Sequence, residues 1–421
     1  MLQPSTTEQV AAIVRTCAEA RVAIVPQGGN TGMCAGAVPD ASGAQILVQL
    51  GRLDRIRDVN VEDASLVAEA GCVLADVKSA ACAAGLYFPL SLSAEGSCQI
   101  GGNVATNAGG INVLRYGTMR DLVLGLEAVL PDGSVLDNLR TLRKNTAGYD
   151  LKQLFVGSEG TLGIVTAVAV KLYPDPGPLQ TAMLALDHAG AAVLALAKLR
   201  ERMPDRLLAF ELIGARPMDF VLRHIPAARN PFDLRYEWYV LLDAAVPAAE
   251  LESALIDLAA QQRIADAVVA KSHAEQTALW RLRHSISEAE RREGPGIKHD
   301  ISVPVGAMQE FLDAAEERLR ARVPQAEAVV FGHVGDGNLH YNAHLRRDVP
   351  DADLGRLGDE LTRAIYELVT EMGGSISAEH GIGVLKKEAL RRYGNPVALA
   401  AMRTLKAALD PAGIMNPGKV I

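Results

Sequence analysis

No part of the 421-residue sequence approaches the roughly 18–20 uninterrupted apolar residues of a membrane-spanning helix, which argues against a transmembrane protein. The opening Gln3-Pro4-Ser5-Thr6-Thr7-Glu8 is polar and carries no apolar stretch of the secretory-signal kind. Cysteine is scarce: five residues (17, 34, 72, 82 and 98), all in the first quarter and none forming a Cys-x-x-Cys pair. That usage predicts reduced thiols and a cytoplasmic protein. Histidine is absent before His188, and all nine lie from there onward, so imidazole chemistry belongs to the part of the chain after the proline-rich stretch at 174–178. Neither Gly-x-Gly-x-x-Gly nor a glycine loop ending in Gly-Lys-Ser/Thr occurs, which excludes the Rossmann and Walker types of nucleotide site. Positive charge in excess is lacking too. The formal net charge of -8 argues against a nucleic-acid backbone as partner and leaves room for a small anion held by local charges.

What is present is a globular chain, 49% hydrophobic, long enough for two or three domains. Pro174-Asp175-Pro176-Gly177-Pro178 reads as a stiff linker. Before it, a Ser5-x-x-Glu8 capping box predicts a helix to about residue 20, and 74–84 predicts a second, stopped by Gly85. Apolar runs at 22–25 (ended by Pro26), 45–50, 65–70, 122–130 and 162–172 predict strands between them. After it, helices are predicted at 189–202, 251–262, 308–322, 354–371 and 397–409, with strands at 236–242, 328–331 and 338–344. The pattern is α+β. The divisions expected are a first domain over 1–175, a second over 176–395, and a tail, 396–421, returning to the first.

Three small-residue loops stand out in the first half: Gln27-Gly28-Gly29-Asn30-Thr31-Gly32, the stretch 101–110 (Gly101, Gly102, Asn103, Val104, Ala105, Thr106, Asn107, Ala108, Gly109, Gly110), and Gly157-Ser158-Glu159-Gly160-Thr161-Leu162-Gly163. Any one could be an ordinary tight turn. Three together, carrying Asn and Thr as well as Gly, favour backbone N–H groups brought against a bulky anionic ligand. In the second half, Gly332-His333-Val334-Gly335-Asp336-Gly337-Asn338-Leu339-His340-Tyr341-Asn342-Ala343-His344 predicts a turn and then a strand presenting His340, Asn342 and His344 on one face. Ser377-Ala378-Glu379-His380-Gly381-Ile382-Gly383 sets a carboxylate beside an imidazole. Two histidines and one carboxylate form a common metal-ligand set, with His333, His340 and Glu379 as ligands and His380 as a base. Structural histidines remain the plainer reading, and spacing does not choose between His340 and His344. Around Leu279-Trp280-Arg281-Leu282-Arg283-His284-Ser285-Ile286-Ser287, a helix would place Arg283 and Ser287 on one face, with Lys298 further on. A solvated charged helix would read the same.

Residues 4–174, and above all 22–32, 89–117 and 149–166, resemble the FAD-binding domain of the vanillyl-alcohol oxidase superfamily. The resemblance implies an FAD site in which Gly28, Gly29, Asn30, Thr31, Gly32, Gly101, Gly102, Asn103, Thr106, Asn107, Gly109 and Gly110 surround pyrophosphate and isoalloxazine. Glu159, Gly163, Ile164 and Val165 would border the cofactor, and Asn416 would return to it. Some relatives attach FAD through a histidine of this domain; this one has none, and Cys98 reads as a structural thiol rather than a thioether, so non-covalent FAD is expected. Residues 333–342 and 377–383 are similar to the D-2-hydroxyglutarate and D-lactate dehydrogenase branch. That resemblance implies a divalent metal, zinc, on His333, His340 and Glu379, with His380 as the catalytic base and Asn342 on the substrate's C1 carboxylate. Arg283, Ser287 (in place of Thr) and Lys298 would hold a distal carboxylate. The implied reaction is oxidation of a D-2-hydroxy acid, D-2-hydroxyglutarate first and D-lactate or D-malate as alternatives, with hydride passing to flavin N5. Electrons would leave to an electron-transfer flavoprotein or a quinone, and a homodimer is compatible with the family. Departures are Ala35 and Ala37 in a flavin loop, Gly294-Pro295-Gly296 and His299 near the specificity region, and further residues that relatives carry upstream of the matched start. Rival readings are a metal-dependent hydrolase, which leaves the glycine loops unexplained, and a non-catalytic flavin subunit, which leaves the His/Glu set unexplained.

Overall fold

A computed structural model describes residues 1–421 except 295, 347 and 348, so Pro295 lies outside the described residues. The chain divides into two compact units. The first comprises Met1–Gly110, Tyr116–Asp175 and Glu379–Ile421; the second comprises Ile111–Arg115 and Pro176–Ala378. The return to the first unit therefore begins at Glu379 rather than after 395. Its cause is local: Val384 N–H donates to the Cys34 carbonyl at 2.8 Å, and Ile382 and Gly383 N–H donate to the Glu159 carboxylate at 2.7 and 2.8 Å.

In the first unit, the helix Thr7–Ala20 is capped one residue later than the sequence pattern implies. Thr6 is the N-cap, accepting from Gln9 N–H at 3.3 Å, while the Gln9 side chain accepts from Ser5 N–H at 2.8 Å. The Gln9 side chain thus reaches the residue before the N-cap rather than the N-cap itself, so the reciprocal capping box is not formed. The parallel pair Ala23–Gln27 and Gln45–Gln49 runs through Pro26 instead of ending there, and the tail reaches it where Ile24 bridges Met415. Five antiparallel strands follow in the order Ile56–Asn60, Ser65–Glu69, Ile164–Lys171, Val123–Val129, Val135–Asn138. Val10, Val14, Ile24, Val48, Leu53, Ile164 and Met415 close the core between helix and sheet.

In the second unit, an antiparallel sheet runs Asp266–Val269, Gln180–Leu186, Trp238–Ala244, Leu207–Gly214, Ala326–Gly332, Asn338–Leu345, and the last strand also pairs with Gly296–Ile297 and Asp300–Ser302. The helices His273–His284 and Ile286–Glu293 cover one face, burying Leu279, Leu282, Ile286 and Ala289 against Ile213, Leu241, Val329 and Phe331. Each buried Leu or Ile of that seam contributes about 1.5–3 kcal/mol. Among the described residues no helix is long and apolar enough to cross a membrane.

Candidate active site

The first unit holds a cleft, open to solvent and lined by the glycine loops. Gly28, Gly29, Asn30, Thr31, Gly32, Gly101, Gly102, Asn103, Thr106, Glu159, Gly163, Ile164 and Val165 all line it, joined by His380. The loops are drawn tight: a Cβ on Gly29 would stand 2.1 Å from the Ser97 carbonyl oxygen. Asn30, Asn107, Glu159 and Asn416 all adopt positive φ, between 42° and 54°. Non-glycine residues accept that conformation at a cost, and such residues gather at ligand sites.

Four expected cofactor residues, Asn107, Gly109, Gly110 and Asn416, are not among those lining the cleft. Asn107 accepts from Arg120 N–H at 2.8 Å; Gly109 is buried; Gly110, at φ 109°, lets the chain pass the Ser91 carbonyl. Asn416 donates to the carbonyls of Gly36 and Glu159 at 2.9 and 2.7 Å. Lys406 reinforces this tail, donating to the Thr161 and Met415 carbonyls at 2.7 Å and pairing with Asp410. Glu159 spends its carboxylate on the loop after His380, and burial pushes its pKa up against those two N–H donors. Burial likewise raises the Cys98 thiol, which leaves little thiolate for covalent attachment.

The cleft fits a large polar cofactor. Asn103 is 5% exposed and Asn416 1%, yet Asn103 Oδ1, Asn416 Oδ1 and Gln99 Oε1 are buried with no hydrogen-bond partner. Native structures leave few such atoms, and the two that line the cleft, on Asn103 and Gln99, point to donors supplied by a ligand.

The second unit assembles the polar residues of the strand Asn338–Leu345. His340 and His333 face each other edge-on, with ring centroids 5.7 Å apart, and His340 Nδ1 lies 3.9 Å from Asp300 Oδ1. His344 goes elsewhere: its Nε2 is 3.3 Å from Glu290 Oε1, and its ring packs on Phe220 at 5.9 Å. His340, and not His344, is thus the neighbour of His333. Asn342 is fixed on both sides, donating to Glu290 Oε2 at 3.1 Å and accepting from His299 N–H at 3.2 Å. The His299 ring points into the helix Asp351–Glu371, bonding Thr362 Oγ1 at 3.0 Å and meeting Tyr366 edge-on. Its neighbour Lys298 is exposed.

Arg283 and Ser287 do not share a face in the simple sense expected. The helix is two, joined at Ser285; Arg283 is buried and Ser287 exposed. Arg283 donates through Nε and NH2 to Glu211 Oε2, both at 2.9 Å, and its guanidinium lies over Phe331 at 5.0 Å. His333 Nδ1 meets the other Glu211 oxygen at 2.7 Å. Burial would raise the Glu211 pKa, but His333 and Arg283 hold it below the ordinary carboxylate range. Glu211, Glu290 and Asp300 were not found by motif. An imidazole backed by a carboxylate is the arrangement in which metal-ligating histidines are commonly held, so His333 fits a cation ligand. In the first unit, Glu379 Oε1 and His380 Nε2 stand 4.0 Å apart.

Residues 176–420 match the C-terminal domain of the FAD linked oxidases, and residues 1–138 match an FAD binding domain. The chain belongs to the FAD-linked oxidase family. Among relatives of this oxidase chain, the mitochondrial D-2-hydroxyglutarate dehydrogenase of Arabidopsis thaliana is 38% identical, over 100% of this chain and 74% of its own length. A D-2-hydroxyglutarate dehydrogenase of Xanthomonas citri is 39% identical, over 99% of this chain and 88% of its own. The fold is that of p-cresol methylhydroxylase, whose structure superposes with a TM-score of 0.78 at 15% identity, covering 100% of this chain and 88% of that one. The matched domains make FAD the cofactor of this chain.

Proposed function

We propose that this chain oxidises D-2-hydroxyglutarate to 2-oxoglutarate as an FAD-dependent dehydrogenase of D-2-hydroxy acids. When bound, FAD supplies the hydride acceptor, and a divalent cation, zinc in this reading, supplies the Lewis acid that acidifies the substrate hydroxyl. His333, His340 and Glu379 would hold the cation. His380 takes the hydroxyl proton on a ring nitrogen, an imidazole suiting proton transfer near neutrality. Asn342 donates to the C1 carboxylate, and Arg283, Ser287 and Lys298 hold the distal one. Electrons leave to an external acceptor, an electron-transfer flavoprotein or a quinone. A cytoplasmic location follows from the cysteine usage of the sequence.

The observation that carries the reading is the meeting of Arg283 and His333 on Glu211, which sets a carboxylate-binding guanidinium beside a ligand-type imidazole. The names of the two dehydrogenase relatives support the same substrate. The test is the visible spectrum of the FAD-loaded protein mixed anaerobically with D-2-hydroxyglutarate, before and after chelation. Rapid bleaching that requires the metal is expected. Bleaching by D-lactate or D-malate alone would move the substrate within its class. No bleaching by any D-2-hydroxy acid would refute the dehydrogenase reading.

A further inference from the structure

Glu211 sits in the strand Leu207–Gly214 with every residue of that strand buried, and is itself 0% exposed. A charge there is tolerable only with full pairing. Its two oxygens are divided between partners far apart in sequence: Oε1 takes His333, and Oε2 takes the Nε/NH2 edge of Arg283. Nothing in Arg283's own long stem fixes its fork; the carboxylate and the Phe331 ring do. A second strut holds the same helix one turn earlier. Trp280 Nε1 donates to Asp243 Oδ2 at 3.0 Å, and Asp243 Oδ1 accepts from Thr181 at 2.6 Å.

We infer that Glu211 is a specificity-determining positioning residue. One rigid carboxylate ties the imidazole at the reacting end of the substrate to the guanidinium at its distal end. The separation of the two ends is thereby fixed, and the site selects an acid by the distance between its carboxylates. Glu211 does not touch substrate; it consumes one edge of Arg283 and leaves the NH1 end for the incoming carboxylate. The inference rests on the functional reading above, for which Arg283 and His333 serve the two ends.

The test uses the full-length, FAD-loaded chain and its Glu211→Gln variant, with two readouts. The first is Zn²⁺ affinity by competition titration. The second is the ratio of kcat/KM for D-2-hydroxyglutarate over D-lactate. A neutral amide cannot accept from both partners, so Zn²⁺ affinity is expected to fall about 10–100-fold. The selectivity ratio should fall about tenfold or more, through KM for the diacid. Trp280→Phe, which loosens the same helix without touching His333, should keep the parent Zn²⁺ affinity. If Glu211→Gln does not fold, Glu211→Asp, which keeps the charge on a shorter stem, is read in the same two ways. Zn²⁺ affinity and selectivity both within twofold of the parent would overturn the inference, as would equal losses of Zn²⁺ affinity in the Trp280 variant. A parent that no D-2-hydroxy acid reduces would sink the functional reading instead, and the Zn²⁺ arm would still decide the role of Glu211.

Discussion

Gly102→Ala should stabilise the apoprotein while weakening FAD binding, two effects of opposite sign from one methyl group. Gly102 lies in the helix Ile100–Ala105 and lines the cleft, and a Cβ built on it meets no protein atom within 4 Å. Alanine in place of glycine within a helix gains about 0.5–1 kcal/mol, less in a first turn. For a chain of this size that corresponds to a rise of roughly 0.5–1 °C in the apoprotein Tm. The same methyl projects into space the cofactor needs. Forcing one extra carbon into a packed contact costs about 1–3 kcal/mol, which weakens the FAD Kd roughly 5- to 150-fold. Thermal unfolding of the apoprotein and titration with FAD, followed by quenching of flavin fluorescence, measure the two separately. Gly101 is the control, because its Cβ would stand 2.5 Å from Ala70 Cβ and 2.9 Å from the Ala70 carbonyl oxygen. Gly101→Ala should therefore lower Tm whether or not FAD is present. An unchanged FAD affinity in Gly102→Ala, or a lower apoprotein Tm, would refute this placement of the cofactor.

Glu159→Gln replaces one acceptor of the Ile382 and Gly383 N–H groups by a donor. Leaving a part-buried N–H unpaired costs about 1–3 kcal/mol; substrate-driven flavin reduction should slow about 5- to 150-fold, while reduction by dithionite should not change. Equal rates of substrate-driven reduction in parent and variant would show that the loop carrying His380 needs no such anchor. A second outcome concerns acid. Burial works to raise the pKa of Glu69 and of Glu127, but hydrogen bonds and charge from Arg55 and Arg57 for the one, and from Arg57 with Thr7 and Thr166 for the other, bring both below the ordinary glutamate value. A depressed folded-state pKa gives stability that is complete above the unfolded value and is lost as pH falls through the folded one. Urea midpoints should therefore fall below about pH 4.5 and stay level above it on this account, and Glu69→Gln should be less stable at neutrality with a shallower acid decline. An acid decline as steep in the variant as in the parent would remove Glu69 from that account.

The cofactor cleft was legible because its chemistry is local. Glycine runs with interspersed Asn mark backbone that must take positive φ and approach a ligand closely, and Asn30 and Asn107 do take it. What the runs cannot mark is which side of each turn faces the cleft. Asn107, Gly109 and Gly110 share a loop with Gly101, Gly102 and Asn103 but do not line it. The point where the chain rejoins the first unit carries no such mark: its anchor is a pair of backbone N–H groups on Glu159, and backbone leaves no trace in composition. Glu211, in contrast, did carry a signal. In Leu207-Leu208-Ala209-Phe210-Glu211-Leu212-Ile213-Gly214 it is the lone charge in an apolar strand, and Asp243 stands likewise in Tyr239-Val240-Leu241-Leu242-Asp243-Ala244. A strand buried on both faces accepts a carboxylate only when donors come to meet it. The strand pattern could have announced both carboxylates, though not their partners.

Those partners decide where the positive charge of the second unit is available. Arg283 is neutralised by Glu211, and the amide of Asn342 is turned toward Glu290. In each case a buried carboxylate fixes a donor in place before any substrate arrives, so little side-chain entropy remains to be lost on binding. The cost of that arrangement is attraction, since a paired guanidinium draws an anion weakly from a distance. Lys298 is exposed, with no ion pair to another described residue, and it sits next to His299, whose buried ring anchors that stretch of chain to a helix. On the proposed reading, geometry and long-range attraction would be divided between two cations, Arg283 buried and paired, Lys298 exposed. Only the second should feel salt strongly, because exposed charges are screened within about 8–10 Å at ordinary ionic strength whereas buried pairs are not.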